Sequence, residues 1–402
     1  MSDDALLAAL LDPYGTSWQD TATASLIPTL SPSLSQRILS LTGSPPTPRF
    51  AFLQLFYLQE KFKKNINFFL LFSSFFSSIL AGFPVGADFA DGSGMNLLDI
   101  QRETERGAAE KEGGAVSYGW DPTAVAAAGI TTSQLGPAPV PSTTLVLPNL
   151  VVGTGDNPSS LVSLSLSLPG TVGVSLGTSD VVMTTMAARD AKPGKGLHLF
   201  VSPSRVDERG ALLCFSNGAL VRREVAEAVV GGDWGLFDEA FFATEPQCGH
   251  PRDTARFYWR TPELLPSGAQ QWPGGKLTKE DIVHLVRSQC LARLVYTREV
   301  GLKKATRLVV TGGGAGSAAL CQCLADCFGV PAYRQSSTDA AAVGAAVRVV
   351  HAALAPDEEL SSLAARLLPP PSLVATPRPA YALTDADIAT VRHRLEGFAR
   401  RG

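Results

Sequence analysis

Residues 306–334, TRLVVTGGGAGSAALCQCLADCFGVPAYR, contain three kinds of local pattern in succession. An apolar run of strand length (306–311) enters a glycine-rich turn, and a helix-length segment (317–330) follows it. The short segment PAYRQ (331–335), of strand length, and the small-residue segment DAAAVGAAVRVVHAAL (339–354) come next. Strand, glycine turn, helix, strand and helix in this order predict an α/β fold.

The segments before this stretch continue the alternation. Apolar residues recur at helical spacing in LTKEDIVHLVRSQCLARLVYTREVGL (277–302), and Thr278 with Asp281 forms a start signal of the capping-box type. Residues 205–241 predict a strand, a turn at Asn217 and Gly218, and a helix that begins near Leu220.

Two further glycine turns follow strands nearer the N-terminus. LVVGTGDNPSSL (150–161) predicts a strand that enters a turn, and TVGVSLGTSDVVMTTM (171–186) predicts a hairpin with Gly177 and Thr178 at its tip. Backbone N–H groups at such turns can bind an anion without steric hindrance from side chains. Each turn alone could equally be a plain connection, and the chain has neither a GxxxxGK[ST] P-loop nor a GxGxxG motif in a βαβ context.

The overall composition limits the classes of function. The 402 residues carry 34 Lys+Arg against 37 Asp+Glu, a net charge of −3, which provides no basic field for nucleic acids or anionic membranes. The six cysteines are too sparse for a secreted disulfide framework, and the acidic N-terminus is unlike a signal peptide. We therefore expect a cytoplasmic protein, and we assign no metal ligands.

The segment from residue 50 to residue 89 holds 11 of the 19 phenylalanines. Its centre, INFFLLFSSFFSSILAGF (66–83), predicts a buried helix. A membrane span is the alternative, but serines dilute the apolar run and no basic cluster follows it.

Asp156 is the best candidate for a general base. It lies after an apolar strand, between glycine and asparagine, where a carboxylate could accept a proton from a substrate hydroxyl. The alternative is an Asx-turn carboxylate that caps its own loop.

Taken together, these motifs resemble the FGGY carbohydrate kinases. The resemblance rests on motifs distributed over residues 87–402: ADFADGSGMNLLDIQ (87–101), TGDNPSSL (154–161), VSLGTSDVV (174–182), LLCFSNGALVRREV (212–225), LVVTGGGAGS (308–317), DAAAVGAAVR (339–348) and LVATPRPAY (373–381). Within the family they are most similar to the eukaryotic branch that phosphorylates D-xylulose.

The resemblance implies an α/β fold of the two-lobed, actin-like (ribonuclease-H-like) ATPase type. It implies an N-terminal sugar-binding lobe at 1–165 and a C-terminal ATP-binding lobe at 166–402. The expected reaction transfers a phosphoryl group from ATP, with Mg²⁺, to the 5-hydroxyl of D-xylulose. No nucleic-acid partner is expected.

The resemblance also assigns roles to individual residues. Asp156 is the expected catalytic base, and Arg49, Asp156 and Asn157 are the expected sugar-binding residues. The expected ATP-binding residues lie in the second lobe: Gly177, Thr178, Trp234, Gly312, Gly313 and Ser317. The family often has asparagine where this chain has Ser317, and serine reaches less far.

The N-terminal region departs from the family pattern. The family opens with a hairpin carrying a Gly-x-Asp-x-Ser/Thr phosphate motif, and nothing in residues 1–19 resembles it. An early sugar-contacting histidine is also missing. The expected first lobe is therefore truncated, with weak or no kinase activity. The alternatives are a non-catalytic nucleotide-binding remnant or another FGGY kinase, acting on glycerol, gluconate or ribulose.

Overall fold

The computed structural model describes residues 22–62, 66–101, 118–194, 196–254, 256–258, 274–301, 305–335 and 339–399. The chain forms two compact units. The first comprises Met1–Pro158, His198–Arg209 and Arg348–Pro356, and the second comprises Ser159–Leu197, Gly210–Val347 and Asp357–Gly402. Each unit therefore contains segments that are far apart in the sequence. The predicted lobes 1–165 and 166–402 stay a prediction.

The first unit is mainly helical. Its helices are α1 (Pro32–Thr42), α2 (Ala51–Phe62), α3 (Phe72–Ala81), α4 (Phe89–Gly92) and α5 (Pro122–Ala127). Two small antiparallel pairs accompany them, β1 (Leu98–Asp99) with β2 (Gly119–Trp120) and β3 (Leu145–Leu147) with β4 (Leu150–Val151). The α1 helix begins with Pro32 after the capping hydroxyl of Ser31, and Gly43 in the left-handed conformation caps its C-terminal end. Both ends therefore have ordinary capping residues.

The α3 helix corrects the prediction of a buried helix at 66–83. Its serines face inward, with Ser74 and Ser77 only 1% and 4% exposed, whereas Phe72 and Leu80 are 77% and 68% exposed. The physical reason is close backbone approach. A β-carbon on Gly153 would lie only 2.5 Å from the Ser73 carbonyl oxygen, so side chains larger than serine do not fit on this face of the helix.

The second unit is built on a sheet. The strands are β5 (Thr171–Leu176), β6 (Asp180–Ala187), β7 (Leu197–Val201), β8 (Glu208–Phe215), β9 (Arg307–Thr311), β10 (Ala332–Arg334) and β11 (Ser372–Ala375), in the spatial order β11-β10-β9-β5-β6-β8-β7. Strands β5, β9 and β10 run parallel, while β6 and β11 are antiparallel to their neighbours β5 and β10. The chain passes into the first unit after Leu197, within β7.

Helices pack around a buried central helix in this unit. The helices of this unit are α6 (Asp156–Ser163), whose first three residues belong to the first unit, α7 (Gly218–Val230), α8 (Trp234–Thr244), α9 (Lys279–Glu299), α10 (Ala318–Phe328), α11 (Ala340–Leu354), whose residues from Arg348 onward belong to the first unit, α12 (Leu360–Leu367) and α13 (Asp385–Ala399). The central helix is α9, which contacts α7, α8, α10 and α13. Its capping box of Thr278 and Asp281 is present as predicted.

The structure confirms most of the secondary structure predicted from the sequence. The hairpin β5–β6, the strands β9 and β10 and the helices α9, α10 and α11 lie within a few residues of their predicted positions. The six cysteines are free thiols. Among the helices of the described ranges, none has the length and apolar character required to cross a membrane.

Candidate active site

The loop that precedes Asp156 is held in the first unit by side chains from three separate segments. The Ser77 hydroxyl of α3 accepts a hydrogen bond from the Gly153 N–H at 2.8 Å. The Thr154 hydroxyl donates to Asp88 Oδ2 at 2.9 Å, and Arg348 Nη2 of α11 donates to the Val152 carbonyl at 2.9 Å. Hydrogen bonds thus fix Val152, Gly153 and Thr154, the three residues before Gly155.

Asp88 and Arg348 form the buried electrostatic centre of this support. Asp88 is fully buried and accepts hydrogen bonds from the Ser142 hydroxyl and from the Ala90 and Asp91 backbone N–H groups. Burial raises the pKa of Asp88, and the charge of Arg348 opposes that rise. Arg348 is 3% exposed and donates from Nε to the Ser142 carbonyl at 3.1 Å, so both groups contact the same residue.

A second carboxyl group, Asp91, lies against Gly155. A β-carbon on Gly155 would be 2.8 Å from Asp91 Oδ1, and Asp91 Oδ2 accepts a hydrogen bond of 2.5 Å from the Ser73 hydroxyl. Loss of hydration, together with the negative charges of Asp88 and Asp156, raises the pKa of Asp91 to about 7. Asp91, which lies beside the candidate base, therefore titrates near neutral pH.

Asp156 begins helix α6 and is exposed. Its Oδ1 accepts hydrogen bonds from the Asn157 backbone N–H at 2.8 Å and from Asn157 Nδ2 at 3.2 Å. The carboxylate is thus oriented by its neighbour and accessible to a ligand. Its catalytic role and the sugar-binding role of Asn157 stay predictions.

Arg49 lies elsewhere in the first unit, just before α2. Its backbone N–H donates to the Thr47 hydroxyl at 3.2 Å. Burial, with a smaller contribution from the Arg49 guanidinium charge, lowers the pKa of His198 to about 4. Arg49 therefore lies beside a neutral imidazole, and its predicted contact with a sugar stays a prediction.

The structure brings together the two glycine turns of the second unit. Strands β5 and β9 are parallel neighbours, with Ser175 opposite Thr311. Gly312, at φ +82°, packs against the end of β5, where a β-carbon would lie 2.8 Å from the Leu176 carbonyl oxygen. The turn at Gly312 and Gly313 therefore adjoins Gly177 and the exposed Thr178. Juxtaposed N–H-bearing turns of this kind can bind an anion.

Ser317 and Trp234 are connected through a residue that the sequence analysis did not single out. Ser317 caps α10 and donates from Oγ to Asp238 Oδ1 at 2.5 Å, while Asp238 Oδ2 accepts from the Ala318 N–H at 2.8 Å. Asp238 lies four residues after Trp234 on α8, so the two are neighbours on one helix face. The Asp238 carboxylate thus already occupies the N-terminus of α10.

Sequence reasoning missed the groups that support these loops. Asp88, Asp91 and Arg348 lie within the quoted motifs 87–101 and 339–348, but nothing in those motifs indicates that they converge on the loop before Asp156. Asp238 has no sequence signal of its own, because its partners are about 80 residues further along the chain.

Comparisons with known proteins agree with these motifs. Residues 278–353 match the C-terminal domain of the FGGY family of carbohydrate kinases. The chain is 29% identical to rat xylulose kinase over 95% of this chain and 74% of the relative. It is 28% identical to mouse xylulose kinase over 96% of this chain and 72% of the relative.

Solved structures agree on the fold. The xylulose kinase from Rhodospirillum rubrum superposes with a TM-score of 0.76 at 17% identity, over 94% of this chain and 77% of that structure. This likeness confirms the predicted α/β fold of the actin-like ATPase type. The matched C-terminal domain and the similarity to relatives along nearly the whole chain make the protein similar to the carbohydrate kinases of the FGGY family.

Proposed function

We propose that this chain transfers the γ-phosphoryl group of ATP to the 5-hydroxyl of D-xylulose, forming D-xylulose 5-phosphate. The name shared by the rat and mouse relatives supports the sugar. The observation that carries the proposal is the exposed Asp156 carboxylate, at the end of a loop whose other residues are fixed by Ser77, Asp88 and Arg348. A fixed loop with one accessible carboxylate suits a general base.

In the proposed reaction, Asp156 accepts the proton of the sugar hydroxyl as its oxygen attacks the γ-phosphorus. Asn157 holds Asp156 Oδ1 through two donors, which leaves Oδ2 to face the substrate. Asn157 and Arg49 are the proposed sugar-binding side chains. Because phosphoryl transfer depends mostly on positioning and charge stabilisation, fixing this carboxylate is the main contribution of the first unit.

The proposed nucleotide site lies at the ends of β5 and β9. Gly177 and Thr178 would contact the γ-phosphate, Gly312 and Gly313 would contact the adenosine moiety together with Ser317, and Trp234, 44% exposed, would lie near the base. Mg²⁺ prefers oxygen ligands and commonly keeps phosphate oxygens and waters, and the exposed Thr178 hydroxyl is an oxygen donor that fits this chemistry. When bound, the metal would neutralise charge on the phosphates.

The test is ADP release from Mg²⁺-ATP with and without D-xylulose, comparing the full chain with its Asp156→Asn variant. We expect release that D-xylulose stimulates and that falls at least about a hundredfold in the variant, the low end for loss of a general base. Asp387→Asn is the matched control, because it removes a carboxylate that caps α13 in the other unit.

The alternatives predict different results. Stimulation by glycerol, gluconate or ribulose but not by D-xylulose would assign another FGGY substrate. ATP binding by a folded chain without stimulation by any sugar would indicate a non-catalytic remnant.

A further inference from the structure

A buried cluster of charges lies directly behind the Gly177–Thr178 turn. Asp180, the first residue of β6, is 0% exposed and receives Arg222 of α7 in a bidentate pair, with Nη1 to Oδ2 at 2.6 Å and Nη2 to Oδ1 at 2.9 Å. Arg293 of α9 also donates to Asp180 Oδ2. The Thr178 carbonyl accepts from the Ala219 N–H of α7 at 3.3 Å. Helix α7 thus connects the cluster and the turn, because its Ala219 bonds to the turn and its Arg222 bonds to Asp180.

The cluster contains more positive than negative charge. Arg222 and Arg293 are each 2% exposed and share the single carboxylate of Asp180. Gln289 adds neutral contacts only, since Oε1 accepts from Arg222 Nη1 at 2.8 Å and Nε2 donates to the Gly218 carbonyl at 3.2 Å. Arg293 Nε is buried without a hydrogen-bond acceptor, and its guanidinium group packs over the Phe215 ring. A buried cation that its partner does not balance is costly.

We propose that the surplus positive charge of the Asp180–Arg222–Arg293 cluster stabilises the nucleotide phosphates bound at the Gly177–Thr178 turn. The inference rests on the proposed function, because it takes a nucleotide at that turn as given. Asp180 is two residues from Thr178, so the cluster lies roughly 10 Å or less from a phosphate on the turn. At that distance and an effective dielectric of about 20, one unit charge changes affinity on the order of tenfold.

The competing explanation is purely structural: the arginines hold the hairpin in place, and their charge is incidental. The two explanations differ in the effect of neutralising the surplus charge without removing either arginine. Gln289→Glu does this, because the new carboxylate replaces an amide oxygen that already contacts Arg222. Gln289→Met loses both side-chain hydrogen bonds of Gln289 and adds no charge, whereas Gln289→Glu loses only the bond to the Gly218 carbonyl. Weaker ADP binding by Gln289→Glu than by Gln289→Met therefore reports the charge and not the lost hydrogen bonds.

The experiment measures ADP binding by titration calorimetry, the KM for ATP and the KM for D-xylulose in both variants. We expect Gln289→Glu to bind ADP on the order of tenfold more weakly than Gln289→Met, with a parallel rise in the KM for ATP. The KM for D-xylulose should differ less than twofold between them. Equal ADP affinities in two folded variants would overturn the proposal.

Arg293→Met gives a second measurement. The Asp180–Arg222 pair remains bidentate and neutral, so the proposal predicts weakened ADP binding in a chain that still unfolds cooperatively. Arg287→Met is the matched control, since Arg287 is equally buried on α9 but belongs to a balanced group in which Glu245 and Asp326 pair with Arg287 and Arg378. ADP affinity that falls equally in both variants would contradict the proposal. ADP binding needs no turnover, so these results stand even if D-xylulose does not stimulate the wild-type chain, which would refute only the proposed function.

Discussion

Gly153 lies where helix α3 and the loop before Asp156 approach most closely. Its N–H donates to Ser77, and a β-carbon there would be 2.5 Å from the Ser73 carbonyl oxygen. That obstacle is backbone, which cannot rotate away as a flexible side chain can. Gly153, the residue before the TGDN motif, is therefore explained by the steric space at this contact.

The first prediction concerns this glycine. Gly153→Ala should lower the free energy of unfolding by about 1–3 kcal/mol, because overpacking forces backbone shifts, and it should displace Asp156. The measurement is urea unfolding together with xylulose-stimulated ADP release. Gly119→Ala is the control, since its β-carbon would meet nothing within 4 Å. A Gly153→Ala variant as stable as this control would contradict the steric account.

The second prediction concerns the pH dependence of stability. The pKa of Asp91 is raised from 3.8 to about 7 by lost hydration, by Asp88 and by Asp156, against the opposing effects of Ser73 and Arg348. Between about pH 4 and pH 7 the folded chain then binds more protons at this group than the unfolded chain. The stability that protonated Asp91 contributes is therefore lost as the pH rises through that window.

Asp91→Asn should remove this loss, because the amide has no charge to bury. The free energy of unfolding of the variant, minus that of the wild type, should increase from pH 4 to pH 7 and level off above pH 7. Urea titrations at several pH values measure it. A difference that is flat over that range would show that Asp91 ionises normally.

The sequence identifies individual turn residues more readily than the residues that form hydrogen bonds with them. Asp156, Gly177 and Gly312 are conspicuous because each lies in a turn directly after an apolar strand. Arg348 and Ser142 are 206 residues apart, and no local pattern indicates that such residues meet. The candidate ligand-binding residues could thus be named from the sequence, whereas the groups that orient them could not.

Among the secondary-structure elements, α3 is the one whose sequence misleads. The segment FSSFFSSILA is rich in phenylalanine, yet hydrogen bonding to a tight glycine loop outweighs the burial of its rings. The Ser77 hydroxyl accepts from Gly153 and donates to the Ser73 carbonyl. The apolar residues of this segment indicate a helix with an apolar face, but they do not indicate whether that face packs against the core.

The third prediction follows from this orientation. Ser77→Ala should cost about 1–3 kcal/mol, the penalty for a buried N–H left without an acceptor. Phe72→Ala should change stability by less than about 0.5 kcal/mol, as for other surface substitutions. Chemical denaturation of both variants measures the difference. The reverse order of effects would mean that the phenylalanine face is covered in solution.

The fourth prediction concerns the contact between α11 and α6. A β-carbon on Gly344 would lie 1.8 Å from the Ser159 carbonyl oxygen of α6, the helix that begins at Asp156. Gly344→Ala should therefore be destabilising by about 1–3 kcal/mol despite the better helix propensity of alanine. Gly397→Ala on α13 meets nothing within 4 Å and should be neutral or slightly stabilising. Thermal unfolding of the two variants tests this contrast.

For the whole molecule, the sequence predicts the fold class but not which segments form each of the two units. The alternation of strands, glycine turns and helices after residue 150 predicts the α/β fold, because each element has its own periodicity and end signals. The segments His198–Arg209 and Arg348–Pro356 belong to the first unit although both neighbour second-unit segments in sequence. Such returns depend on tertiary packing, which local periodicity does not encode.

The fifth prediction assigns each ligand to one unit. Amide hydrogen exchange slows where a ligand stabilises the folded state against local opening. ADP should therefore protect the turns at 177–179 and 312–316, which adjoin each other at the ends of β5 and β9. D-Xylulose should protect 153–157, where the backbone is fixed but the Asp156 side chain is exposed. The Asp156→Asn variant should keep the ADP pattern and lose most of the sugar pattern, because only the sugar needs that carboxylate. Protection of 153–157 by ADP alone would place the nucleotide in the first unit and contradict the assignment of both sites.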